Sequence, residues 1–255
     1  MHLAVQLRGL WPGTVPPVPI IRFEHDTWHR LEQNAIELAD GIRASRASSV
    51  LVVAHSRGGL VATRALAILA NGSDADKPIH AKLITLGTPF LGTPLAHAAD
   101  ALWASVHTAM GAVRLVGGPA LDAITRILSW TIKKSPPDGI RLMYPTSDVL
   151  PSLRDGIAPD AILVAGHTDD GESDYYGLKR AWRGGLAEGA FGGERNDLVV
   201  ETSSSLAGRT SGIVISSDHS SYLLEPTVQQ VIKNEAEALP KGLIHQVSGR
   251  EMLTW

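Results

Sequence analysis

The chain has 255 residues, 44% of them hydrophobic and 19% charged, with a net charge of −3 at neutral pH. This suits one large α/β domain with a sizeable core, here residues 1–255, and the missing basic stripe argues against a nucleic-acid partner. The absence of cysteine excludes disulfides, thiolate catalysis and cysteine–zinc sites, and no apolar run reaches transmembrane length.

Met1 to Gly13 has no basic leader, long apolar segment or cleavage site, so a cytoplasmic protein is expected. Leu3, Val5, Leu7, Leu10 and Trp11 read as a helix end, and Pro12, Pro16, Pro17 and Pro19 as a rigid loop. Val18 to Phe23 reads as a strand. Asp26 or Thr27 is placed to cap a helix with Leu31, Ala35, Leu38 and Ile42 on one face. Val50 to Val53 is a buried strand. The helix that follows from Gly58 to Leu69 ends at Asn71-Gly72. Ala81 to Leu86 is another strand. The pattern from Leu95 to about Asp138 is helical, with Leu102, Trp103, Val106, Leu121 and Ile124 among its apolar positions. These helices are either a cap that shapes an apolar acyl pocket or plain core packing.

Beyond the exit loop Lys133 to Gly139, Asp160 to Ala165 forms a strand that leads into a long, polar, glycine-rich loop ending at Arg195. Leu198 to Glu201 is short and extended, and Gly212 to Ser216 is the last strand. Pro226 opens a helix with Val228, Val231 and Ile232 on one side. The tail after residue 238 has no assigned place. Alternation of strands and helices predicts a mostly parallel sheet covered on both faces.

Ser56 stands where the strand ending at His55 turns at once into a helix. Such a turn strains the backbone and lifts the side chain above the sheet, which requires small neighbours such as Ala54 and Gly58. This is the signature of a nucleophile elbow. A serine hydroxyl needs a base within hydrogen-bond reach, and the base needs an orienting carboxylate. His219 follows the last strand among small polar residues and fits the base, and Asp197 fits the acid. His167 with Asp148 keeps the same order but leaves the last strand and its loop without a role. Asp218 is adjacent to His219 and is expected to cap the next helix. His55 reads as a packing residue under the elbow. No metal or organic cofactor is called for.

Ala54-His55-Ser56-Arg57-Gly58-Gly59, Gly87-Thr88-Pro89-Phe90-Leu91-Gly92-Thr93-Pro94, Asn196-Asp197-Leu198-Val199-Val200 and Asp218-His219-Ser220-Ser221-Tyr222 occur in that order. Together they resemble the lipase/esterase-like branch of the α/β-hydrolase superfamily over about residues 18 to 232. The resemblance implies an α/β-hydrolase fold with Ser56 as nucleophile, Asp197 as acid and His219 as base. It also implies hydrolysis of small-molecule or lipidic carboxylic esters. The backbone N–H of Arg57 would serve the oxyanion, and Phe90, Leu91, Leu102 and Trp103 would line the substrate pocket. Two departures stand out. Phe90 replaces a histidine usual in such relatives, and no His-Gly supplies a second oxyanion donor before Ser56. The expectation is therefore either a chain lacking an N-terminal strand or a degenerate member that binds a lipid or protein without catalysis. A nucleotide-binding loop is a poor match, because Ser56-Arg57-Gly58-Gly59 lacks the required lysine.

Overall fold

A computed structural model describes residues 7, 9–12, 18–25, 29–72, 79–96, 138–168 and 191–239. Four strands, β1 (Ser49–His55), β2 (His80–Leu86), β3 (Ile162–His167) and β4 (Ile213–Ser216), form one sheet in sequence order. Every adjacent pair is parallel, with Val53 opposite Ile84, Leu86 opposite Val164 and Val164 opposite Ile213. The helices are α1 (Leu31–Ala44), α2 (Arg57–Ala70), α3 (Asp138–Arg141), α4 (Val149–Asp155), α5 (Thr202–Ser205) and α6 (Pro226–Ala238).

Side chains alternate across the sheet, so each strand feeds two cores. On one face Val52, Ala54 and Leu83 pack with Ala62 and Leu66 of α2. Farther along this face, Leu163 and Ala165 meet Leu60, Phe90, Leu150 and Leu153. On the other face Leu51, Val53, Ile84, Leu86, Val164 and Ile215 pack with Val228 and Ile232 of α6. Burying Ile84, Leu86 and Val164 is worth about 1.5–3 kcal/mol each. These faces explain why the strands read as continuous apolar runs: both sides are covered. The architecture is α/β with helices on both faces, as the alternation predicts.

α1 packs on the outer side of α2 through Ala35, Ala39, Val61 and Ala65, whose small side chains let the two helices come close. Arg64 adds two hydrogen bonds to Glu32, at 2.7 and 2.9 Å. This exposed pair contributes at most about 1 kcal/mol.

The N-terminal side departs from expectation. Val18 to Phe23 is not a strand: the segment is irregular and mostly exposed, Ile21 to 77%. Its apolar residues mimic a strand pattern, but Pro19 offers no N–H, and among the described residues no strand pairs with it. Among the described strands, β1 therefore lies at an edge of the sheet. Asp26 and Thr27 lie outside the described residues, and α1 starts after Arg30 without a side-chain cap. Of the expected helical insertion at 95–138, only Leu95, Ala96 and Asp138 are described. The tail beyond residue 239 is outside the described residues as well.

Candidate active site

Ser56 joins β1 to α2 with φ 55° and ψ −134°. A non-glycine residue in that region stores about 1–3 kcal/mol and persists only where its surroundings enforce it. Here β2 does so. The Ser56 N–H donates to the Leu86 carbonyl at 2.8 Å, and the Thr88 hydroxyl donates to the Ser56 carbonyl at 3.0 Å. The Gly59 N–H closes the first helical turn onto the same carbonyl at 3.0 Å. The small residue this turn cannot do without is Gly59 rather than Gly58. A Cβ on Gly59 would stand 2.0 Å from Thr88 Oγ1, whereas one on Gly58 would meet only His25 Nε2, at 3.6 Å.

Arg57 is buried, and its side chain braces the turn at Ser56. Its Nε donates to the Gly139 carbonyl at 3.2 Å, one terminal nitrogen donates to the His29 carbonyl at 2.7 Å, and the other lies 3.1 Å from His25 Nδ1. The guanidinium thus ties the segment before α1 and the start of α3 to the Ser56 turn. Its backbone N–H is the first of α2, at the positive end of the helix dipole.

Asp197 lies in a tight turn rather than the extended segment expected from Leu198 to Glu201. Leu198 adopts φ 78°, and Asn196 pairs with Glu201 in an isolated antiparallel bridge. The cause is local: the side chains of Asn196 and Asp197 accept backbone N–H groups that a strand would have offered a neighbour. Asn196 Oδ1 takes Leu198 N–H at 3.0 Å, and Asp197 Oδ1 takes Val199 and Val200 N–H at 3.0 and 2.7 Å.

The second oxygen of Asp197 accepts from His219 Nδ1 at 2.8 Å and from the Tyr222 hydroxyl at 2.7 Å. Four donors and no acceptor surround this fully buried carboxyl group, an environment that suits only the anion. Burial alone would raise its pKa. The charge and hydrogen bond of His219, with those of Tyr222 and Val200, outweigh burial and hold it below the usual carboxylate value. Burial and the Asp197 charge push the Tyr222 hydroxyl upward, so it stays a donor. That hydroxyl also accepts Gly166 N–H at 2.7 Å. There is no room here for larger residues: a Cβ on Gly87 would lie 2.8 Å from the Tyr222 oxygen and 2.9 Å from Asp197 Oδ2.

His219 follows β4 in an irregular loop, and Asp197 holds it twice. Its Nδ1 faces the carboxylate, and its backbone N–H donates to the Asp197 carbonyl at 2.9 Å. An ionised Asp197 selects the Nδ1–H tautomer and leaves Nε2 as a lone-pair acceptor. The ring lies 4.7 Å, centroid to centroid, from that of His55, the residue before Ser56. Among the described residues no hydrogen bond links the Ser56 hydroxyl to His219; such bonds are often long without substrate and tighten when it binds.

The structure therefore brings Asp197 and His219 into contact and sets His219 against His55, the residue before Ser56. The competing pair is not formed. His167 is buried at the end of β3 with Arg195 3.1 Å from its Nε2, and no hydrogen bond or ion pair joins it to Asp148. Asp218 caps no helix; it accepts the Ser220 N–H at 2.8 Å and the Ser221 hydroxyl, bracing the turn after His219. Phe90 is fully buried in the core beside Leu60 and Leu163 and has no surface to offer a substrate. Leu91 is half-buried, with its N–H on Ser204 Oγ at 3.0 Å; Leu102 and Trp103 lie outside the described residues. A groove of about 460 Å³ involves Ile162, Arg209, Ile213 and Glu235. It opens where β3 and β4 begin, whereas Ser56 and His219 follow strand ends, where sites in such sheets form.

Two contributors escaped the sequence reading. Tyr222 appeared only as part of a motif, although its position three residues after His219 was a usable signal. His55 was expected to pack; its ring nitrogen instead bonds the His219 carbonyl.

The fold is α/β, a parallel sheet with helices on both faces, and it carries a strained serine between strand β1 and helix α2. The chain belongs to the family described as a domain of unknown function (DUF7379), whose profile matches residues 18–233. Among solved structures it is similar to phospholipase PlaB from Legionella pneumophila, at a TM-score of 0.44 and 15% identity over 72% of this chain. The chain spans 36% of the length of that phospholipase. A search of curated proteins found no match. No helix among the described residues is long and apolar enough to cross a membrane.

Proposed function

We propose that the chain is a serine hydrolase of carboxylic esters, with Ser56 as nucleophile, His219 as base and Asp197 as the orienting acid. The observation that carries this reading is the Asp197–His219 hydrogen bond of 2.8 Å, with the His219 ring 4.7 Å from that of His55, the residue before a serine held at φ 55°. Ser56 Oγ attacks the ester carbonyl while His219 Nε2 takes its proton. The tetrahedral intermediate collapses, and the imidazolium returns that proton to the departing alkoxide, leaving an acyl-serine. Water then attacks the acyl group with His219 again as base, and the acid leaves as Ser56 regains its proton. Asp197 stays ionised throughout and stabilises the imidazolium. The Arg57 N–H, at the start of α2, donates to the oxyanion, and each such donor is typically worth about 100- to 1000-fold in rate.

A lipidic substrate is part of the proposal. The test is hydrolysis of p-nitrophenyl esters of graded acyl length by the wild type and by Ser56→Ala. Turnover that vanishes with Ser56→Ala supports the proposal, and the acyl length of highest kcat/KM defines the substrate class. Equal rates in the two proteins would leave only a binding module.

A further inference from the structure

We propose that His55 is a positioning residue for the base: its Nε2–H holds the backbone of His219 against the nucleophile strand. The inference rests on reading Ser56 and His219 as nucleophile and base. His219 sits in the irregular run after β4, so no sheet or helix hydrogen bond fixes it. Its restraints are separate contacts. Asp197 accepts its N–H and its Nδ1–H, while its carbonyl accepts from His55 Nε2 at 2.7 Å. Of the three, only the bond from His55 originates on β1, the strand that leads directly into Ser56. That bond therefore sets the distance between the two reacting side chains.

The contact also fixes the chemistry of His55. A carbonyl can only accept, so the nitrogen facing it carries the proton, and a neutral ring then has its lone pair on Nδ1. The titratable groups that face the ring are His219, Asp197 and Tyr222, with ring centroids of His219 and Tyr222 at 4.7 and 6.1 Å. Burial, and then the proximity of His219, bring the His55 pKa down to about 4. A neutral ring can cover the imidazolium of His219 as it forms during turnover, whereas a second cation there would oppose it. The residue before the nucleophile thus tethers the base without sharing its proton.

Two variants separate tethering from filling space. His55→Gln keeps an N–H donor at nearly the same reach, and His55→Leu keeps bulk without a donor. Proton NMR of the His219 Nδ1–H, in its hydrogen bond to Asp197, reads the tether directly and without turnover. The resonance is expected to persist in the wild type and in His55→Gln and to broaden or vanish in His55→Leu. In ester hydrolysis, kcat is expected to fall about 10- to 100-fold in His55→Leu with KM little changed, and Gln to restore most of it. An unchanged Nδ1–H signal in His55→Leu, or equal kcat in the two variants, would overturn the proposal. Should the wild type show no Ser56-dependent turnover, the function reading fails while the NMR comparison still decides the tether.

Discussion

The half-buried His55, one residue before Ser56, makes the fold sensitive to mild acid, and the size of the effect follows from its surroundings. His55 titrates at about 4 in the fold, against 6.5 for a free imidazole. As pH falls through 6.5 the unfolded chain takes up a proton that the folded chain refuses until about pH 4. Stability from this residue is therefore complete above pH 6.5 and is lost between there and pH 4. The whole gap corresponds to about 3 kcal/mol, of which about 2.5 kcal/mol is lost between pH 7.5 and 4.5. Asp197 acts lower down. Its depressed pKa gives stability that is present above the ordinary carboxylate value of 3.8 and is lost as pH falls through its folded value. It therefore leaves the window from 4.5 to 7.5 largely to His55. Urea unfolding of the wild type and of His55→Gln, followed by tryptophan fluorescence at both pH values, measures the effect because the histidines remote from residue 55 cancel in the comparison. The wild type should lose about 2.5 kcal/mol more than the variant. Equal losses would show that His55 is not held neutral by its site.

The Ser56 turn, Asp197 and Tyr222 each give a further test. Gly59→Ala would press a methyl group onto Thr88, costing about 1–3 kcal/mol in urea unfolding. Gly58→Ala, with only ordinary contact to His25, should cost less than about 1 kcal/mol. Asp197→Asn sets an amide among four donors and removes the charge that selects the His219 tautomer. The expected fall in kcat is about 10⁴-fold, as for the acid of Ser-His-Asp hydrolases, with circular dichroism unchanged. Tyr222→Phe takes one donor from Asp197 and strands the Gly166 N–H, which should lower stability by about 1–3 kcal/mol.

Much of this was legible because both faces of the sheet are covered. Strands such as Val50 to Val53 and Ala81 to Leu86 read as apolar runs, and the small residues around Ser56 marked the strained turn there. The pairing of His219 with Asp197 could be read because one follows the last strand and the other lies between the last two. Features that depend on what a segment meets in space were harder to read. The apolar pattern of Val18 to Phe23 matches a strand but cannot say whether a neighbour is there to pair with it. Leu198 to Glu201 looks extended until the carboxylate of Asp197 takes its N–H groups, and Phe90 reads equally well as pocket lining or core. The bond from His55 to the carbonyl of residue 219 crosses 164 positions, a separation no local pattern encodes.

The central claim is that Ser56 is activated by His219 and Asp197, and covalent labelling tests it most directly. Incubation with a fluorophosphonate, followed by mass spectrometry of the digested protein, should place a single adduct on the peptide that contains Ser56. The adduct should be absent from Ser56→Ala and should form far more slowly in His219→Ala. Folded wild-type protein that stays unlabelled, or carries its adduct on another residue, would contradict the account.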